Sequence, residues 1–298
     1  MQNWNKLGLI YNNHNYNALP VGTFIGNDIL RIYASSRDDD NKSFPFFIDF
    51  DLQTQKVINE NIVDIPLGEL GTFDEYGIMP TSVIYKNNQI LLYYIGWNLG
   101  TSVPFRNAIG LAISNDKGCS FEKYSNAPIL DRSLYDACFV ASNCVFQEED
   151  FYRMYYLSCD KWDYKKGKLT HSYNIKYAES KDAIHWVRNG NVAINFKFDN
   201  EYAISVPRVI KEEGVYKMWY SFRGNKEIQT YRIGYAESEN GIDWNRKDEQ
   251  VNLDVSKGSW DSEMICYPFI FNYKNQSYML YNGNDYGKSG IGLAILGK

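Results

Sequence analysis

Six acidic side chains lie just ahead of apolar, strand-like segments. They are Asp74 and Glu75 in TFDEYGIM, Asp136 in LYDACFVA, Glu201 in DNEYAISV, and Asp261 and Glu263 in WDSEMICY. Glycoside chemistry needs two carboxyl groups across a sugar: one protonates the leaving oxygen, the other is base or nucleophile opposite it. Carboxylates crowded around one mouth raise each other's pKa, which suits the acid role. Glu263 is the expected acid, because Met264 and Ile265 would desolvate it, and Asp74 the expected base or nucleophile. Glu201 and Asp261 complete the expected catalytic set. The structural alternative is that each acid bonds loop backbone or an arginine.

Arg37, Arg106, Arg208 and Arg223 mark the same segments, with Arg132 near them. Planar, permanently charged forks suit carboxylate or phosphate ligands, unless they only pair with the acids. Trp97, Trp162, Tyr267 and Tyr286 offer flat faces for a sugar ring, and Trp260 either stacks or plugs the core. Asp38, Glu75, Asp136, Asn284 and His14 complete the expected substrate-binding set.

A repeat of about sixty residues must position these groups. Each copy has an apolar strand, a tight polar turn and a second strand rich in Tyr and Met, such as ILLYYIG from Ile90, YRMYYLS from Tyr152 and YKMWYSF from Tyr216. A variable segment follows, then a third strand such as IGLAIS from Ile109 or IGYAES from Ile233. Copies span approximately 12–66, 67–131, 132–199, 200–256 and 257–298. With no helical period, this predicts an all-β, five-bladed β-propeller over residues 1–298 as one domain. Leu7 to Tyr11 is expected to pair with the last blade and close the ring, since an open one would expose strand edges. Turns between first and second strands are short (KNNQ, QEED, KEEG, YKNQ). Those between second and third are long, notably Cys159 to Asn174 and Phe222 to Tyr231. The long loops and the acid-bearing segments share one face, where function on a rigid scaffold is expected.

Composition narrows the partners. The chain has 298 residues, 16% aromatic, and a net charge of −5, which argues against general nucleic-acid binding. No apolar run approaches a membrane span, and no basic region precedes an apolar one at the start, so the reading is cytoplasmic. Five cysteines without CxxC spacing and three histidines predict buried free thiols and no metal or other cofactor. P-loop, dinucleotide, HExxH and GxSxG patterns are absent.

The stretches GTFDEYGIMP (Gly71 to Pro80), GWNLGTSVPFRNAIGLAIS (Gly96 to Ser114), YRIGYAESENGIDW (Tyr231 to Trp244), WDSEMICYP (Trp260 to Pro268) and MLYNGNDYGKSGIGLA (Met279 to Ala294) carry a family resemblance. The chain resembles the five-bladed propeller glycoside hydrolases of families 32, 43, 68 and 130. It is more closely similar to bacterial glycosyl-hydrolase-like proteins related to the propeller portion of glucosamine inositolphosphorylceramide transferases. Family 43 enzymes place catalytic carboxylates on inner strands, commonly before a proline or small residue. Here Leu19 precedes Pro20, Met79 precedes Pro80, and the third copy offers Ala141, Ser142 and Asn143. None of these is acidic, and the Glu-Asp-Pro-Arg motif of family 130 is missing as well. Three turns, SNDKGCSF from Ser114, SKDAIHW from Ser180 and SENGIDW from Ser238, resemble the Asp-box of sialidases and are expected to be structural caps.

The first expectation is a carbohydrate-active enzyme that cleaves or transfers a glycosyl group on an anionic sugar or oligosaccharide, using rim carboxylates. The second is a non-catalytic glycan or sugar-phosphate binder in polysaccharide assembly. A third, sialidase-like reading draws on the arginines and Asp-box-like turns, against a repeat count of five where sialidases have six.

Overall fold

The computed structural model describes residues 1–165, 167–224 and 228–297. Strand β1 (Gln2–Tyr11) precedes a first antiparallel run of β2 (Ala18–Phe24), β3 (Ile29–Arg37), β4 (Ser43–Asp51) and β5 (Lys56–Ile62). The second run is β6 (Gly77–Lys86), β7 (Gln89–Leu99), β8 (Phe105–Ser114) and β9 (Glu122–Lys123). The third is β10 (Phe139–Gln147), β11 (Tyr152–Lys165), β12 (Lys168–Ser180) and β13 (Val187–Ile194). The fourth is β14 (Ala203–Glu212), β15 (Val215–Arg223), β16 (Arg232–Ser238) and β17 (Asn245–Arg246), followed by β18 (Val251–Asn252). Strands β19 (Cys266–Tyr273), β20 (Gln276–Asn282) and β21 (Ile291–Leu296) end the chain's strands.

The first strands of the runs touch in order, β2 with β6, β6 with β10, β10 with β14 and β14 with β19, and β19 returns to β2. This is a propeller. Strand β1 pairs antiparallel with β21, from Trp4 opposite Leu296 to Tyr11 opposite Ile291. Leu30, Ile32, Phe46 and Ile48 of the first run share a buried cluster with Phe271, Leu280 and Leu293 of the last. Second strands are apolar on both faces because sheets cover them from both sides, hence near-continuous segments such as YRMYYLS rather than strict alternation. The outer strand β5 is mostly exposed, with Ile58 and Ile62 at its surface.

Local chemistry explains the turns. Asn87 and Asn88 take φ of 50° and 65°, and Lys274 and Asn275 take 48° and 59°, the two-residue left-handed hairpin geometry that asparagine tolerates. In the Asp-box-like turns, Ser180 Oγ accepts the Asp182 and Ala183 N–H groups, while Asp182 Oδ1 accepts those of Ile184 and His185. Asp116 does the same for Cys119 and Ser120. Burial alone would raise the Asp116 carboxyl, but bonds from Ser120, Ser114 and backbone N–H groups hold it well below its usual range.

One predicted loop is different. Cys159 to Asn174 is not irregular, because β11 and β12 stay paired out to Lys165 opposite Lys168, with Trp162 facing His171 across the strands. Such cross-strand aromatic pairs favour an extended hairpin over a loop. In the predicted loop Phe222 to Tyr231, residues 225–227 lie outside the described residues. The thiols also depart from the expectation of burial, since Cys119 is exposed and Cys138 half-buried. No helix among the described residues is long and apolar enough to cross a membrane.

Candidate functional site

Every first strand shifts register in its first half. The shifts fall between Ala18 and Val21, Pro80 and Ser82, Val140 and Asn143, Ser205 and Arg208, and Cys266 and Phe269. A bulge bends its strand and re-aims the side chains beside it. Leu19, Val206 and Tyr267, each just before a proline, are held at φ of 60°, 50° and 57°. Left-handed backbone is uncommon for such residues, and strain of this kind collects at functional sites. Beside these bulges lies a cavity of about 440 Å³, lined by residues of the four runs and of β19.

Its floor carries no charge: Leu19, Met79, Ala141 and Val206 are apolar, and the Ser142 hydroxyl accepts the Val206 N–H. These include the positions where the resemblance to family 43 would put carboxylates. Its walls are aromatic, with Tyr16, Trp97, Phe105, Phe139, Tyr173, Tyr231, Tyr267 and Tyr286. Arg37 and Arg223 supply the charge. The Arg37 guanidinium lies 4.8 Å from the Tyr16 ring centre and 6.0 Å from that of Trp97. Arg223 lies 4.5 Å from the Tyr231 ring and donates to the Tyr286 hydroxyl at 2.7 Å. Arginine ion pairs among the described residues involve Arg31, Arg153, Arg188, Arg232 and Arg246, and neither cavity arginine is among them. His171 also lines the cavity, packed on Trp162 and Tyr173. Burial, then the nearby Arg223 charge, push its pKa down to about 4, so it is neutral at pH 7.

The expected catalytic acids are placed elsewhere. Asp74, fully buried, accepts the Tyr94 hydroxyl at 3.0 Å and pairs with Lys123 at 2.7 Å. Asp136, also fully buried, accepts the Tyr156 and Ser158 hydroxyls and pairs with Arg188 at 2.8 Å. Asp261 binds Lys6 and accepts from Tyr281. Glu201 takes both Arg246 nitrogens, at 2.7 and 2.9 Å, and Arg246 also holds Asp248, which accepts from Tyr220. Three runs thus repeat one unit, an acid ahead of the first strand, a tyrosine of the second and a cation from a fourth strand; in the remaining run Arg246 bridges Glu201 to Asp248, which takes the tyrosine instead. Burial first, then the neighbouring acid, raise the Tyr94, Tyr156 and Tyr281 phenols and keep them protonated donors. Gly110 of the third strand belongs to the same unit, because a Cβ there would come 2.2 Å from the Tyr94 ring.

These acids, Asp74, Glu201 and Asp261 of the expected catalytic set and Asp136 of the expected binding set, therefore do not line the cavity; each is paired with a cation of the scaffold. Glu263 does not line the cavity either: its side chain is exposed, and its backbone bonds Asn284, Thr230 and Arg232. Asn284 receives the Glu263 and Met264 N–H groups. Asp38 caps its own turn by accepting from Asp40 and Lys42, and Glu75 accepts the Gly71 N–H. His14 packs on Phe46 with Nε2 at 3.2 Å from Glu60. Arg208 lies below the floor, where its Nη1 donates to Asn143 and Pro207 carbonyls. Arg106 opens into a neighbouring pocket. Arg37, Trp97, Arg223, Tyr267 and Tyr286 do line the cavity. Tyr16, Tyr173 and Tyr231 also line the cavity, and in a chain with 25 tyrosines no local signal singles them out.

No family model matches the chain. The uncharacterized protein Rv1502 of Mycobacterium tuberculosis (strain H37Rv) is 38% identical over 306 residues, covering 98% of this chain and 99% of that one. The chain belongs to its family. The 1,2-beta-oligomannan phosphorylase of a Thermoanaerobacter species is 27% identical over 143 residues, 45% of this chain and 48% of the enzyme. Among solved structures, a BT0996–RGII complex matches with a TM-score of 0.77 at 16% identity over 98% of this protein and 90% of that one. A thermostable family-43 glycoside hydrolase matches with a TM-score of 0.68 at 19% identity over 94% and 88%. The fold is that of the glycoside hydrolase propellers.

Proposed function

We propose that the cavity binds an anionic carbohydrate, with Arg37 and Arg223 holding its acidic group and the aromatic walls covering its ring faces. The observation carrying this is two guanidinium groups in one cavity with no carboxylate partner among the described residues. A desolvated cation without a counter-charge is costly, and a ligand carboxylate or phosphate would offset that cost. The five antiparallel runs are read as five blades, with β1 on β21 closing the ring and residues 1–298 forming one cytoplasmic domain. Hydrolysis by paired carboxylates is disfavoured: the floor offers Leu19, Met79, Ala141 and Ser142, and the rim acids are already paired. A glycan or sugar-phosphate binder is the reading that fits best.

Calorimetric titration with galactose, galacturonate and galactose 1-phosphate tests it. The two anionic sugars should bind, and Arg37→Ala should weaken both about tenfold or more. Galactose binding as well as galacturonate, or wild-type affinity in Arg37→Ala, would sink the reading.

The partial likeness to an oligomannan phosphorylase favours a second reading, phosphorolysis. Inorganic phosphate on the two arginines would attack the anomeric carbon, the glycosidic C–O bond would break, and the departing oxygen would take a proton from a cavity hydroxyl. The products would be a sugar 1-phosphate and a shortened chain. Incubation with 1,2-β-mannobiose and phosphate that yields no mannose 1-phosphate removes this second reading.

A further inference from the structure

We propose that the ligand is a chain of at least two sugar units, and that Arg106 and Arg132 bind an acidic group on the second unit. This rests on the main cavity being an anionic-sugar site. The ends of β7 and β8 form a wall with a different face toward each side. Across it, Trp97 pairs with Asn107, Asn98 with Arg106, and Leu99 with Phe105. Neighbouring residues on a strand point to opposite faces. Trp97, Phe105 and Asn107 accordingly line the main cavity, while Asn98 and Arg106 line a second pocket of about 380 Å³.

Asn107 lines both spaces, so the two are adjacent across this wall. The second pocket differs in chemistry. Where the main cavity is aromatic, this one presents the Asn98 and Asn126 amides, Arg106 and Arg132. Both arginines are exposed, and neither forms an ion pair among the described residues. The one carboxylate there, Asp131, accepts the Arg132 backbone N–H. Amides and a carboxylate suit sugar hydroxyls, and two unpaired forks suit an acidic group. A single sugar in the main cavity would leave this pair without a role. A second unit running over the hairpin end past Asn107 would use it.

The test is a length series of galacturonic acid, digalacturonate and trigalacturonate titrated calorimetrically. Wild type should bind the two-unit chain about 10- to 100-fold more tightly than the monomer, the range expected for one charge-assisted contact. In the Arg106→Ala/Arg132→Ala double variant that ratio should collapse to about one. Arg37→Ala should weaken monomer and dimer together. A wild-type ratio near one, or a double variant that keeps the full ratio, overturns the two-unit proposal while leaving the main cavity's reading intact. Failure of the monomer and the longer chains alike to bind overturns that underlying reading instead.

Discussion

Two populations of charge differ in how this propeller treats them. The outer one is Asp74, Asp136, Glu201 and Asp261, each sunk to at most 5% exposure and met by a lysine or arginine. The inner one is Arg37 and Arg223, which touch aromatic rings and, among the described residues, no carboxylate. The acids are paired within the scaffold; the arginines, on the proposed reading, hold the ligand. Residue type alone suggests the reverse, since carboxylates are the usual catalysts on sugars. Under the proposed function, charge would act only where the fold has not neutralised it.

Removing an outer acid should produce the largest effect. Asp136→Ala leaves Arg188 and Lys176 without their buried partner, and the expected loss is about 3–5 kcal/mol in urea denaturation. A loss below about 1 kcal/mol would break the contrast, because the acid would then not be structural.

The inner arginines should respond in the opposite sense. Arg37→Ala should shift unfolding by no more than about 1 kcal/mol while weakening an anionic sugar about tenfold or more. Equal damage to folding and binding would blur the distinction between the two populations.

His171 offers a pH test of the cavity wall. Its folded pKa of about 4 lies below the unfolded value of about 6.5, so between these the unfolded chain binds more protons. Its contribution is complete above about pH 6.5 and is lost as pH falls toward 4, about 1–3 kcal/mol in all. Urea unfolding of wild type and His171→Phe across this range should diverge in slope. Parallel curves would mean the imidazole is hydrated rather than buried among rings.

Glu263→Gln should do least, with stability within about 0.5 kcal/mol and sugar affinity unchanged, because an exposed carboxylate outside the cavity has little to lose. Loss of ligand binding in this variant would return the exposed rim to the site.

Much of the scaffold was legible in the residues. The apolar, aromatic-rich segments ILLYYIG, YRMYYLS and YKMWYSF mark second strands, and KNNQ and YKNQ mark hairpins, because backbone preference and turn chemistry act over a few neighbours. The glycine of IGLAIS is readable only after the fact: Gly110 is small so that Tyr94 can pass to Asp74. Of the expected site, Arg37, Trp97, Arg223, Tyr267 and Tyr286 reach the cavity because they sit where strands meet its mouth. The pairing of the acids is not legible in the sequence, because their partners come from afar, as when Lys6 of the first strand reaches Asp261 near the other end of the chain.

The amino-acid order by itself determined the strand repeat, the turn types and the face on which polar groups gather, all consequences of local preference. Tertiary structure alone decided which of those groups remain available. Neutralising a charge takes a partner within a few ångströms, and here those partners come from separate strands, brought close only when the sheets pack.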